Sequence, residues 1–436
     1  MNQVHTKADQ RRAAVITHAG RPGRVRWTIC AMLFAATSIN YMDRQVIGLL
    51  KPTLESSIGL TELNYGYIVA AFQVTYAAGL VVAGRLVDRL GIRSGYSLFM
   101  SMWSVASMAH GLAGSALGFG IARCFLGLSE AGNFPAAVKT VADWFPQTER
   151  SLATGIFNSG ANVGAIIAPA IIPWITLRFG WRTAFVTTGL FGVPWIAWWL
   201  KNYRKPSEYP RLTRPEFDHI YGGEGAPVEL DSPWLKLLTY RQTWAFSIAK
   251  FLTDPIWWFY LFWLPSFFDS RFHLGLSHLG LPLIIVYNVS VVGSVAGGWL
   301  PALFCSMGLD TAKARMFAMF ICAILALPVL MAGSLNSEWA AIGLLSLAAA
   351  AHQGWSANLF TTASDMFPRT SVGAVVGLGG MAGSIGGVLF AASAGTILNF
   401  THSYKALFYI SGSAYLISIA VILIMAPNLK KVDFSA

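Results

Sequence analysis

The chain has 436 residues, 55% of them apolar, with 31 Lys and Arg against 20 Asp and Glu for a formal net charge of +11. Charged residues make up 12%, about half the roughly 25% of a soluble domain, which excludes an ordinary water-soluble protein. The 42 glycines and 16 tryptophans point the same way, because glycine is frequent in membrane helices and Trp gathers at membrane interfaces. The composition is that of a polytopic α-helical membrane protein.

A polar start with Lys7, Arg11, Arg12, Arg21, Arg24 and Arg26 leads into an apolar stretch that carries Asp43 and Arg44. It lacks a small-residue cleavage pattern and is predicted to be a first span, not a signal peptide. Crossing about 30 Å of hydrocarbon takes about 20 helical residues. Stretches of that length fall at 27–50, 64–84, 95–114, 116–138, 151–173 and 183–200. A segment rich in proline and charge precedes six more, at 242–267, 279–304, 315–333, 339–362, 371–398 and 404–426. The predicted organisation is a cytoplasmic tail (1–26), a six-helix bundle (27–200), a cytoplasmic central loop (201–241), a second six-helix bundle (242–426) and a cytoplasmic C-terminal tail (427–436).

The cations sort by membrane side. With the N-terminus inside, 23 of the 31 fall in the tails, the central loop and alternate short loops, whereas Lys51, Arg178, Arg182, Arg271 and Lys405 fall on the opposite side. Both termini and the central loop are therefore predicted cytoplasmic. The loop's seven cations are nearly matched by Glu208, Glu216, Asp218, Glu224, Glu229 and Asp231, which leaves no basic face for nucleic acid. Cys30, Cys124, Cys305 and Cys322 show no metal or redox spacing, and no metal or cofactor is predicted.

The halves echo each other. Asp143, Phe145, Pro146, Gly155 and Gly164 recur as Asp365, Phe367, Pro368, Gly377 and Gly386 at one offset of 222 residues. This lays span five over span eleven and predicts a duplicated six-helix unit; parallel halves related by an axis along the membrane normal are a known transporter design.

An ionisable side chain at the bilayer centre costs about 2.5–3.5 kcal/mol, so each one marks a candidate site. Six qualify: Asp43, Arg44, Arg123, Glu130, Lys250 and Asp254. Arg123 and Glu130, seven apart, share a helix face about 10.5 Å from each other and can line one cavity without neutralising each other directly. Asp43 and Arg44 are adjacent and do not face each other, so each needs a partner on another helix or a ligand. A salt-bridge network that only orients helices is the alternative. Lys250 and Asp254, four apart, are expected to pair with each other as a structural feature.

His352 is either a group that titrates near neutral pH or a histidine satisfied between helices. Tyr41, Tyr76, Trp257, Trp258, Tyr260 and Trp355 supply aromatic faces, and Asn158, Ser159, Asn162 and Asn358 offer hydrogen bonds suited to hydroxyls. Glycines spaced by four at Gly160–Gly164, Gly293–Gly297 and Gly379–Gly383–Gly387 permit close helix approach. Gly377 to Ala382 matches a dinucleotide-binding string, but no strand precedes it and it lies within a span. No HExxH, GxSxG or Walker sequence occurs, so neither a membrane protease nor ATP-driven transport has support.

The segment Gly84-Arg85-Leu86-Val87-Asp88-Arg89-Leu90-Gly91-Ile92-Arg93 resembles the signature loop of the major facilitator superfamily; its second-half counterpart, Gly298 to Arg315, is degenerate. Asn40-Tyr41-Met42-Asp43-Arg44, Arg123 with Glu130-Ala131-Gly132-Asn133-Phe134-Pro135, and Trp144-Phe145-Pro146 followed by Glu149-Arg150 resemble the anion:cation symporter branch. Asp254-Pro255-Ile256-Trp257-Trp258-Phe259-Tyr260 and Ala351-His352-Gln353-Gly354-Trp355-Ser356-Ala357-Asn358 are most similar to bacterial hexuronate transporters.

This resemblance implies twelve transmembrane helices in two pseudo-symmetric bundles and proton-coupled uptake of a sugar-acid anion by alternating access. It implies that Asp43 and Glu130 are the protonatable carboxylates, that Arg123 pairs with Glu130, and that Arg44 binds the substrate carboxylate. Tyr41 and Tyr76 would contact the ligand, with Asn158, Asn162, His352, Trp355 and Asn358 as further substrate contacts. Gly84, Asp88, Arg89, Gly91 and Arg93 would form the gate, Asp88 and nearby arginines holding one closed state. The partners expected are a small sugar-acid anion, protons and the lipid bilayer of the bacterial inner membrane, with the monomer as the working unit. Carriers of an aldonate, an aldarate or a phosphate ester stay open beside the hexuronate, as does a non-transporting membrane sensor of sugar acids.

Overall fold

The computed structural model describes residues 23–222, 234–273, 280–401 and 403–433, which are helical with no strand among them. The first bundle contains α1 (Val25–Ile58), α2 (Glu62–Leu90), α3 (Ile92–Ala109), α4 (Ala116–Glu130) running into α5 (Asn133–Trp144), α6 (Arg150–Phe179), and α7 (Trp181–Leu190) running into α8 (Gly192–Asn202). A short helix, α9 (Arg214–Tyr221), lies in the central segment. The second bundle contains α10 (Arg241–Phe272), α11 (Gly280–Ser306), α12 (Thr311–Ala326), α13 (Glu338–Met366), α14 (Val372–Thr401) and α15 (Lys405–Met425). With α4–α5 and α7–α8 each counted as one crossing, these make twelve. Of the charges noted above, Lys7, Arg11, Arg12, Arg21, Glu224, Glu229 and Asp231 lie outside the described residues.

Two crossings expected to be continuous are broken, and proline sets each break. Proline lacks an N–H and its ring clashes with the carbonyl four residues earlier. Pro135 therefore interrupts the helix at Ala131, so that α4 ends on Glu130, and Pro194 does the same at Leu190, the last residue of α7. Pro328 acts at the end of α12, which tightens into a 3-10 turn from Leu327. Helices also run past the apolar stretches. In α1 a further turn carries Lys51 and Glu55, paired at 3.5 Å, because helix propensity continues where hydropathy stops. Among the described residues, seven crossings are long and apolar enough to span a membrane by the measure of length and composition alone. Helices α1, α4 and α10 fall short of it, and they carry the six intramembrane charges.

The duplication is visible in the packing. Helices α6 and α14 begin and end at positions related by the 222-residue offset. Within the bundles α1 packs on α6 as α10 packs on α14, and α2 on α4 as α11 on α13; the bundles meet along α6–α11 and α2–α14. The repeated glycines lie at equivalent crossings. A Cβ on Gly155 would collide with the Ser294 carbonyl oxygen of α11, and one on Gly377 with the Leu80 carbonyl oxygen of α2. Gly164 meets α1 at Ser38, as Gly386 meets α10 at Phe251. These small residues let backbones approach where lipid supplies no hydrophobic force between helices.

At the end carrying the central segment, polar contacts seal the two bundles together. Asp88 on α2 accepts from Lys139 on α5 and from the Ala374 N–H at the start of α14, the latter at 2.7 Å. Asp365 on α13 pairs with Arg315 on α12, which also donates to Ser151 of α6 and to the Gln147 carbonyl. Arg150 donates to the Ser364 carbonyl at 2.8 Å. At the same end Arg26 bridges to Glu149 at 2.8 Å, the Arg26 N–H donates to Glu216 at 3.2 Å, and His219 lies 2.9 Å from Glu149. These contacts clasp α9 to the starts of α1 and α6.

The gating residues divide. Gly84 touches Gly373 where α2 crosses α14, without room for a Cβ, and Asp88 is part of the seal. Gly91 has φ of 75°, the left-handed region that lets α2 turn directly into α3. The cation expected on Asp88 is corrected from a nearby arginine to Lys139. Arg89 is adjacent on the helix, where side chains do not face each other, and is exposed; Arg93 donates to the Leu200 carbonyl on α8.

Candidate functional site

Midway along the long helices, between the bundles, lies a small chamber of about 70 Å³ lined by Tyr41, Arg44, Tyr76, Asn158, Lys250, Asp254, Trp257, His352 and Gln353 among others. It shares Tyr41, Arg44, Trp257 and Trp258 with a cavity of about 640 Å³ in the half away from the seal, lined also by Arg123, Phe72, Gln73, Pro169 and Tyr287. The halves of α1, α2, α6, α10 and α11 away from the seal form its walls.

Arg44 is the centre of the first bundle's wall. Its Nε donates to Glu130 Oε2 at 2.5 Å, and Glu130 is fully buried. The guanidinium is flanked by the rings of Tyr76 (4.5 Å to centroid), Tyr41 (4.8 Å) and Phe72 (5.3 Å), a cation–π setting that suits Arg better than Lys. The proline break places Glu130 on the last turn of α4, where Arg44 of α1 reaches it.

The expected pairing of Arg123 with Glu130 is corrected here. Arg123 donates to the Arg44 carbonyl at 3.1 Å and lies over the Phe72 ring at 5.4 Å. Seven residues of helix separate it from Glu130, whereas α1 brings Arg44 within reach. Asp43, next to Arg44, points to the opposite side of α1. It is 2% exposed, accepts from Ser107 on α3 at 2.9 Å and has no cation in contact among the described residues. Its second oxygen, like Glu130 Oε1, has no hydrogen-bond partner among the described residues.

On the second bundle's wall Lys250 and Asp254 pair as expected, at 2.8 Å, yet both line the chamber. Sequence reading set them aside as structural because an i,i+4 pair neutralises itself; their position opposite Arg44 carried no signal in the chain. Lys250 Nζ sits 3.8 Å above the Phe360 ring, which stacks on Phe134 at 5.1 Å. His352 is bonded to the Tyr415 hydroxyl at 2.8 Å and stacked on Trp257 at 5.6 Å. Asn158 donates to Gln353 Oε1 at 2.8 Å across the bundle interface.

Three expected substrate contacts are not in the chamber lining. Trp355 is fully buried on the other side of α13, its indole N–H donating to Thr253 at 3.2 Å. Asn358 accepts from Ser151 and donates to the Gly297 carbonyl in the seal. Asn162 is buried in α6 outside the lining. On a helix the chamber takes one stripe, so His352, Gln353 and Ser356 reach it and Trp355 does not. Phe72 and Ser384 carried no signal in the sequence, and Gln353 and Ser356 stood there only as members of the run from Ala351 to Asn358.

A twelve-helix duplicated chain with charged groups converging on one inter-bundle chamber is a transporter architecture. The model of the Major Facilitator Superfamily matches residues 33–391. The chain belongs to this superfamily. It is a multi-pass membrane transporter and not an enzyme. It is 31% identical over 414 residues to the hexuronate transporter of Escherichia coli strain K12, covering 94% of this chain and 96% of that one. It is 29% identical to the probable galactarate/D-glucarate transporter of Bacillus subtilis strain 168, covering 95% of each. Among solved structures, a proton:xylose symporter bound to 6-bromo-6-deoxy-D-glucose superposes with a TM-score of 0.72 at 14% identity, covering 93% of this chain and 96% of that one; this likeness concerns the fold.

Proposed function

We propose that this superfamily member is a proton-coupled symporter that carries a sugar-acid anion, a hexuronate such as galacturonate or glucuronate, into the cytoplasm across the bacterial inner membrane. The observation that carries the proposal is the Arg44–Glu130 pair at the chamber wall. A buried pair stripped of one partner costs about 3–5 kcal/mol. Arg44 is therefore matched either by ionised Glu130 or, once Glu130 takes a proton, by a substrate carboxylate. Proton and anion enter together because each removes the other's electrostatic cost, and Arg44 can bind a carboxylate in two-point fashion. Asp43, with no cation in contact, is the second proton site. The aromatic faces of Tyr41, Tyr76 and Trp257 and the amides of Asn158 and Gln353 suit a polyhydroxylated ring.

In this reading the sealed end, which bears most of the cations, faces the cytoplasm, and the cavity in the other half receives substrate from outside. Rocking of the bundles along α2–α14 and α6–α11 then breaks the contacts that cross between them, Asp88 to the Ala374 N–H, Arg315 to Ser151 and Arg150 to the Ser364 carbonyl, and exposes the chamber inward.

The test is uptake of labelled galacturonate and glucuronate into proteoliposomes with and without an imposed inward proton gradient. Gradient-driven accumulation is expected for the wild type. Glu130→Gln is expected to lose accumulation while retaining counterflow exchange, since a neutral side chain frees Arg44 permanently. Full gradient-driven uptake by Glu130→Gln would refute the coupling role, and failure of either hexuronate to enter would refute the substrate. An aldarate carrier is the second reading, favoured by the identity to the Bacillus subtilis relative.

A further inference from the structure

Lys250 and Asp254 are a buried ion pair with no evident structural duty. Both come from one turn of α10, so the pair does not orient one helix on another, and a buried pair adds little net stability over apolar residues of the same size. The two groups differ in exposure. Lys250 is 3% exposed and lies against Phe360, whereas Asp254 keeps 22% of its side chain open. The ammonium thus neutralises the carboxylate from behind, and the carboxylate presents its free lone pairs to the chamber. Helix α14 makes the space: a Cβ on Gly383 would collide with Asp254 Oδ2, whereas one on Gly379 would strike the Phe246 ring before it reached Lys250. Gly383, read from the sequence as a site of close helix approach, makes the room for this carboxylate.

An ionised carboxylate accepts hydrogen bonds and donates none. It holds hydroxyl groups and repels a second anion. Arg44 stands on the opposite wall of the same chamber, so a ligand spanning it has its carboxylate toward α1 and its hydroxyls toward α10. We propose that Asp254, backed by Lys250, is a specificity-determining residue that reads the hydroxyl end of a sugar monocarboxylate and excludes acids bearing a second carboxylate at that end. The proposal rests on the sugar-acid reading above and chooses between its two substrate classes.

The probes are galacturonate and galactarate, which share a hydroxylated chain and differ in the group at one end. Binding to the purified protein in detergent is measured by calorimetry, with a melting curve to verify each variant's fold. The wild type is expected to favour galacturonate by at least about ten-fold, and Asp254→Asn to weaken galacturonate about ten-fold and bring the two affinities together, the loss of one charged hydrogen bond and one like-charge repulsion. Lys250→Met, which removes the cation that keeps the carboxylate ionised, is expected to narrow the preference as well, because a buried carboxylate without its cation takes up a proton and no longer repels a second anion. An unchanged ratio in both variants, or a wild type that prefers galactarate, overturns the proposal. If the wild type binds neither acid, the sugar-acid reading itself falls, and that result is seen before any variant is made.

Discussion

Glu130 at the end of α4 is bound by Arg44 of α1, Nε to Oε2 at 2.5 Å, and not by Arg123 seven residues earlier on its own crossing. The proline break after Glu130 leaves the carboxylate at a helix end facing a different helix. The cation that answers Glu130 is therefore the one that also faces the chamber, which joins the proton site to the anion site at a single guanidinium.

Replacing that guanidinium by an ammonium tests the joint. Arg44→Lys keeps the charge but loses the planar fork and the fit between Tyr41, Tyr76 and Phe72. Galacturonate affinity, measured by calorimetry, is expected to fall at least about ten-fold. Wild-type affinity in this variant would show that point charge alone suffices and that Arg44 does not grip a carboxylate.

Gly84 sits where α2 touches the start of α14, and a Cβ there would strike the Gly373 carbonyl oxygen. Backbone cannot give way as a flexible side chain can. Gly84→Ala is expected to express and insert normally but to hold the sealed end apart, cutting uptake to below about a tenth, because overpacked contacts cost about 1–3 kcal/mol or more. Normal uptake would show that this crossing opens and closes without the close approach.

The Lys139–Asp88 contact is largely buried on both partners, at 9% and 11% exposure. In Lys139→Gln, Asp88 keeps the Ala374 N–H but loses its counter-charge. The sealed state is expected to lose population, read as at least about ten-fold faster alkylation of a cysteine placed at Thr361, which is fully buried at the bundle interface. Unchanged alkylation would remove this pair from the seal.

The clasp outside the membrane predicts a pH dependence. Burial alone raises the Glu149 carboxyl, but hydrogen bonds from Arg26 and His219 outweigh it and hold the group below its usual value. A carboxylate lowered in the folded state adds stability above its unfolded value of about 4.3, and loses it as pH falls through the folded value. Melting temperature is expected to drop more steeply on acidification through that range in the wild type than in Glu149→Gln. Parallel curves would show that the clasp contributes nothing to stability.

Much of this molecule was legible along the chain because it follows from one-dimensional properties. The cost of charge in hydrocarbon marked Asp43, Arg44, Arg123, Glu130, Lys250 and Asp254 wherever they fell, and the 222-residue offset foretold the matched limits of α6 and α14. The twelve crossings follow from the spacing of the apolar stretches together with the duplication, and the breaks after Glu130 and Leu190 could have been read from Pro135 and Pro194. Partner choice was not legible. Whether Glu130 meets Arg123 or Arg44, whether Asp88 meets an arginine or Lys139, and whether Trp355 or His352 reaches the chamber depend on helix rotation and on which helices cross. Those are set by the fit of whole surfaces, down to the absence of a Cβ at Gly155, Gly377 and Gly383. The sequence alone determined which side chains are costly enough to need a function; only the packing of α1, α4 and α10 around one chamber decided which of them act together.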